Sequence, residues 1–247
     1  MSDLEYRLNI ITKVLTDLLW YAAQISVFEV LFRHAPHISG WTLTSARIFM
    51  AVLFFVDSWW MVLFQENFDR LSTKIRKGEL DMVLAKPVDS QFMLTLQKQN
   101  TSYVINIILT FSFLIWTLNQ LPEPFQWWRL LILVLIGLPT ALIICYCFRL
   151  LFATLSVIYT SAESANYIWY QIYRLGMRPD TFYPTWLRGV VLSILPVAFV
   201  ASVPTRLLLY DLDWRLIIGG PMVAAILLYL SRKLWRASLV HYSSASS

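Results

Sequence analysis

The sequence predicts an all-α, polytopic membrane protein with six transmembrane helices, and three observations predict it. Of its 247 residues, 58% are apolar and only 14% charged, against about 25% charged in an ordinary soluble domain. The apolar residues collect into runs near the roughly 20 residues that a helix needs to cross a hydrocarbon core. The lysines gather on alternate connections, the asymmetry that marks cytoplasmic loops. Eleven Trp, twelve Tyr and fifteen Phe add rings suited to membrane interfaces. This composition excludes soluble enzymes, disordered tails and disulfide-stapled secreted modules. The formal net charge is +5, but the basic residues are interspersed with acids and apolar runs. The excess is therefore a topology signal, not a nucleic-acid footprint.

Taken in order, residues 3–16 predict an N-terminal amphipathic helix. Leu4, Leu8, Ile11 and Leu15 fall on one face, and Glu5, Arg7, Asn9, Thr12 and Lys13 on the other. Such a helix lies in the interface or forms the wet first turns of the next span. The opening residues carry two acids and no cleavage site follows, so no secretory signal is expected. Spans follow at about 14–32, interrupted by Asp17, Gln24 and Glu29, and at about 44–64, with Asp57 inside.

Residues 65–100 form the longest charged stretch, a structured loop with helical spacing through Phe68, Leu71 and Ile75. Gly78 breaks that helix, and a second short one begins at Leu80-Asp81 and stops at Pro87. Asp81 near its start suits free backbone N–H groups and the helix dipole. Leu80, Val83 and Leu84 share one face at i, i+3 and i+4 spacing. They need a partner, either another protein or the chain's own helices.

A third span covers about 101–118 and a fourth about 130–158. Arg149 is the fourth run's charge, and its length exceeds the bilayer core. The stretch 160–209 allows two arrangements with the same end points. In one, 160–183 is a cytoplasmic amphipathic segment and 186–209 a span. In the other, about 161–179 is a protein-buried span and 183–209 a broken re-entrant pair bent at prolines. The last span is about 214–230. With the N-terminus inside, Lys13, Lys74, Lys77, Lys86, Lys98 and Lys233 all fall inside, so both termini are cytoplasmic.

The sequence carries no G-x-x-x-x-G-K-[ST] phosphate loop, no G-x-G-x-x-G run and no H-E-x-x-H. His34 and His37 lack a third ligand, so no metal site is expected. Cys145 and Cys147 point to opposite helix faces and read as small core residues. Glu29, Asp57 and Arg149 are the intramembrane charges. They either line a pathway or pair structurally, for example Asp57 with Arg149.

The loop Ile75-Arg-Lys-Gly-Glu-Leu-Asp-Met-Val-Leu-Ala-Lys-Pro resembles the I-R-x-G-x-L-D-x-x-L-x-x-P signature of ABC transporter permeases of the type-2 exporter class. Gly78, Leu80, Asp81, Leu84 and Pro87 match it in place. Tyr183-Pro184, Pro196-Val-Ala-Phe and Pro204 are similar to that family's Y-P … I-P-x-A-F … P pattern, with Leu195 in place of the isoleucine. The resemblance covers nearly the whole chain. It implies a single permease domain over 1–247, with a cytoplasmic coupling helix between spans two and three. It also implies a re-entrant outer segment over 183–209, bent at Tyr183, Pro184, Pro196 and Pro204, which selects the second arrangement.

The resemblance further implies a bacterial inner-membrane exporter subunit without its own ATPase site. It would pair with a second permease, identical or related, and with separate ATP-binding subunits that hold ATP and Mg. Gly78, Leu80, Asp81, Val83, Leu84 and Pro87 would be its ATPase-coupling residues, and membrane lipids its surroundings. The alternative, a secondary transporter or channel, would need an inverted repeat or denser intramembrane charges. A membrane enzyme would need a clustered nucleophile, acid–base pair or metal triad. Neither pattern is present in the sequence.

Overall fold

The computed structural model describes residues 3–76, 79–159 and 162–240. Among these the fold is all helical, and five helices are long and apolar enough to cross a membrane: Ile11–His34, Leu43–Leu71, Thr101–Leu118, Arg129–Thr154 and Trp214–Leu239.

Helix α1 (Asp3–His34) runs unbroken for 32 residues. The amphipathic segment expected at 3–16 is therefore not a separate interfacial helix. It is the first turns of the span, because no Gly, Pro or cap residue interrupts the backbone ladder there. A tight turn at Ile38–Trp41, with Ser39 and Gly40 at φ 48° and 85°, reverses the chain. Helix α2 (Leu43–Trp60) opens on a reciprocal cap: Ser45 N–H donates to Thr42 Oγ1 at 3.3 Å, and Thr42 N–H to Ser45 Oγ at 2.9 Å. Its middle is apolar on every face, buried from Ile48 to Val56, and forms the centre of the bundle.

A wide π-turn at Met61–Gln65 joins α2 to α3 (Glu66–Arg76). There the Val62 carbonyl accepts from Asn100 N–H at 3.0 Å, a donor from outside the helix. Two short helices, α4 (Glu79–Leu84) and α5 (Ser90–Leu96), complete a platform at this end. Helix α6 (Val104–Leu118) packs along α2. The next run is α7 (Arg129–Ile132), a π-turn at Leu133–Gly137, then α8 (Leu138–Tyr159). Pro139 lacks an N–H and crowds the carbonyl four residues back, which widens the preceding turn.

Helix α9 (Ala162–Gly176) lies against α8. It falls within the span expected at 161–179, but its 15 residues reach only about 22 Å. Helices α10 (Thr185–Ser193) and α11 (Ser202–Leu209) flank a buried elbow at Val197–Phe199. Helix α12 (Trp214–Val240) returns along α8. Of the expected bends, Tyr183 and Pro184 are extended and lead into α10, and Pro196 turns the elbow. Pro204 is a correction: it sits in the first turn of α11, where its missing N–H would be unpaired anyway, and starts that helix rather than bending it.

The elbow is held by close approach. A Cβ on Gly176 would stand 2.8 Å from the Val197 carbonyl oxygen, and one on Gly220 would stand 2.8 Å from the Phe199 ring. Beside it Asp180 is fully buried. Its carboxylate accepts from Ser202 Oγ and from Arg188 Nε at 2.9 Å, with Arg206 Nη1 at 3.7 Å. Trp41 Nε1 donates to Thr181 Oγ1 at 2.8 Å and ties the α1–α2 turn to this knot.

Candidate functional site

The platform is a small core of its own. Phe68, Leu71, Leu80, Val83 and Leu94 pack with Tyr146, Cys147 and Leu150 of α8 and Trp235 of α12. Polar bonds fix its edges. Asp89 Oδ1 caps α5 by accepting from Phe92 N–H at 3.1 Å, while its other oxygen accepts from Arg232 Nη2 at 2.8 Å. Gln91 Nε2 donates to Tyr146 Oη at 2.9 Å, and Trp235 Nε1 to Ser90 Oγ at 3.2 Å. Asn67 Nδ2 donates to the Lys98 carbonyl at 2.6 Å, and Lys98 N–H to Asn67 Oδ1 at 3.0 Å, so the loop closes on itself.

This packing corrects the expected orientation of the short helix. Leu80 is 0% and Val83 9% exposed, both turned into the chain's own helices. Of the three, only Leu84 faces outward, at 39%. The apolar groups the platform presents are Leu84 with Met82 at 65%, Val88 at 53% and Phe92 at 60%. Met82, Val88 and Phe92 were not singled out in the sequence. Met82 and Phe92 stand in short apolar runs, beside Val83-Leu84 and Met93-Leu94, and only the folded platform shows which members of those runs stay exposed. Asp81 is the third residue of α4, Pro87 lies exposed in the turn after it, and Gly78 falls outside the described residues.

Between α1, α2, α8 and α9 lies a cavity of about 470 Å³. Asp17, Trp20, Asp57, Trp60, Trp169 and Tyr173 line it, with Asp69 and Arg149 toward the platform. The charges expected in the spans sort differently from the pairing suggested by sequence. Asp57 does not pair with Arg149: it accepts from Tyr173 Oη at 3.3 Å, while Arg149 Nη2 donates to Asp69 Oδ1 at 2.7 Å. The reason is position, since Asp57 and Asp69 are separated by about 18 Å along the helix and Arg149 stands at the level of Asp69. The Arg149 guanidinium also lies 5.9 Å from the Phe68 ring.

Asp17 accepts from Asn106 Nδ2 at 2.6 Å. Glu29 is not on the cavity. It accepts from Arg47 Nε at 2.5 Å, and Arg47 Nη1 donates to Gln120 Oε1 at 3.2 Å, which joins α1 and α2 to the turn after α6. Glu29 therefore ties α1 to α2. In the sequence Asp17 interrupts the first apolar run, Asp69 belongs to the charged stretch 65–100, and Trp169 and Tyr173 belong to the stretch 160–209 that allows two arrangements. Their common signal, acids and rings on faces that converge, needs the helix packing to be read.

No curated protein and no solved structure matches this sequence. The sequence model of the ABC-2 family transporter proteins matches residues 18–246. That match takes in the first spanning helix from residue 18 onward, the other four, the platform and the elbow. The chain belongs to the ABC-2 family of transporter proteins, as a membrane permease.

Proposed function

We propose that the chain is the permease subunit of an ATP-driven exporter in a bacterial inner membrane, working as a dimer with two separate ATP-binding subunits. The observation that carries this reading is the platform. It is rigidly tied to α8 and α12, yet presents Met82, Leu84, Val88 and Phe92 to the outside. Exposed apolar side chains on a structured loop ask for a protein partner. The lysines of the loop support a cytoplasmic position for it, where a soluble ATPase is available. Because the platform's core is shared with α8 and α12, a push on it moves the spans directly.

Six crossings with both termini cytoplasmic follow if α9 counts as the fifth. Its Trp169 face packs on α8 and the elbow, while Tyr167, Ile168 and Tyr170 remain exposed, two rings and an apolar side chain suited to lipid contact. Helices α10 and α11 then dip into the outer leaflet as a re-entrant pair. ATP and Mg belong to the partner subunits, since this sequence has no phosphate loop. The test is co-expression with candidate ATP-binding subunits and measurement of the purified complex's mass and ATP turnover. Two permeases with two ATPases, active together and with no turnover by the permease alone, is the expected result. Turnover by the permease purified free of any ATPase would overturn it.

A further inference from the structure

The cavity between α1, α2, α8 and α9 narrows the chemistry of what such a permease would bind, an inference that rests on the permease reading above. Its volume of about 470 Å³ lies within the range of small-molecule sites, roughly 300–1,000 Å³. Two carboxylates, Asp17 and Asp57, enter it from spanning helices, where a charge is costly and is retained for a purpose. Among the described residues neither is in an ion pair, and their hydrogen-bond donors, Asn106 and Tyr173, are neutral. Arg149 is engaged with Asp69. Lys13, one turn before Asp17, holds its ammonium over the Tyr103 ring at 5.7 Å.

The rest of the wall is aromatic. Trp20, Trp60 and Trp169 line the cavity together with the two acids, and Trp169 and Tyr173 stand 5.6 Å apart. Indole faces and carboxylates together favour a positive group with an apolar body. Behind this wall the Tyr21 hydroxyl and Asn106 Oδ1 are buried without hydrogen-bond partners among the described residues. Tyr21 packs on Trp20, and Asn106 donates to Asp17, so both lie one layer behind the lining. An anion would meet two carboxylates there, and a neutral apolar molecule would leave them unanswered.

We propose that this cavity binds amphiphilic organic cations, a positive head held between Asp17 and Asp57 and an apolar body against the tryptophans. The probe pair is tetraphenylphosphonium and tetraphenylborate, which share shape and differ in sign. Binding of labelled tetraphenylphosphonium to the detergent-purified full chain is measured by equilibrium dialysis. In separate experiments, saturable binding of tetraphenylphosphonium and none of tetraphenylborate is expected, the former weakened about tenfold or more by Asp57→Asn and by Asp17→Asn. These variants preserve shape, and thermal unfolding checks their fold. Should one misfold, the sign preference of the unmodified chain and the other variant still decide. Equally tight binding of tetraphenylborate measured by itself, or unchanged affinity in the folded variants, would overturn the proposal. No ATPase takes part, so this outcome is independent of whether the chain assembles with one.

Discussion

Arg149 and Asp69 join the spanning bundle to the platform: the guanidinium donates at 2.7 Å from α8 to a carboxylate on α3. The pair is lopsided. The Arg149 side chain is 9% exposed and that of Asp69 53%.

That asymmetry predicts unequal costs. Asp69→Ala withdraws the carboxylate from a buried guanidinium, which costs about 2 kcal/mol or more. Arg149→Met leaves only a half-solvated carboxylate behind and keeps the packing on Phe68, at a cost of less than about 1 kcal/mol. Thermal unfolding in detergent measures both, and equal losses would show that the pair is not what holds α3 to α8.

The elbow gives a second contrast. Gly176→Ala drives a Cβ into the Val197 carbonyl and should destabilise by roughly 1–3 kcal/mol. Gly189→Ala, in α10 with nothing within 4 Å, should be neutral or stabilising by up to about 1 kcal/mol. The two unfolding midpoints should move in opposite directions or differ widely.

Asp180 should be the anchor of the 183–209 segment. Asp180→Asn keeps the shape but removes the charge that Arg188 and Arg206 share. Both arginines keep some contact with solvent, so a loss of roughly 1–3 kcal/mol is expected. Limited proteolysis should then cut between α9 and α11 earlier than in the unmodified chain.

Topology is checked by cysteine labelling in intact cells. Thr185 and Lys86 are both exposed, and Cys145 and Cys147 are buried and unreactive by position. Thr185→Cys should react with an impermeant reagent from outside, and Lys86→Cys only after permeabilisation. The reverse pattern would restore a cytoplasmic placement of α10.

Much of this architecture was legible in the sequence because hydrophobic length is a strong signal. Span two at 44–64 and span three at 101–118 lie within the observed helices. Orientation of short helices was not legible. Leu80, Val83 and Leu84 share a face by spacing, but the packing of α4 on α3 and α5 buries two of them in the platform core and leaves the third at the edge. Pairing of intramembrane charges failed for a related reason: composition names Asp57 and Arg149, but depth along each helix decides partners. The knot at Asp180 was equally hidden, since Arg188, Ser202 and Arg206 converge on it only through the elbow.

The most direct test of the central claim is docking of the ATP-binding subunit on the platform. Met82→Asp with Phe92→Asp changes two exposed side chains and leaves the buried Leu80 and Val83 in place, so the permease should fold and reach the membrane. Leu80→Asp, by contrast, places a charge in the platform core and should lower stability. Affinity purification of the tagged permease, followed by quantification of the bound ATPase, reads the outcome. The account predicts that the Met82/Phe92 variant recovers normal amounts of folded permease with less than about a tenth of the ATPase. A full complement of ATPase on that variant would contradict it.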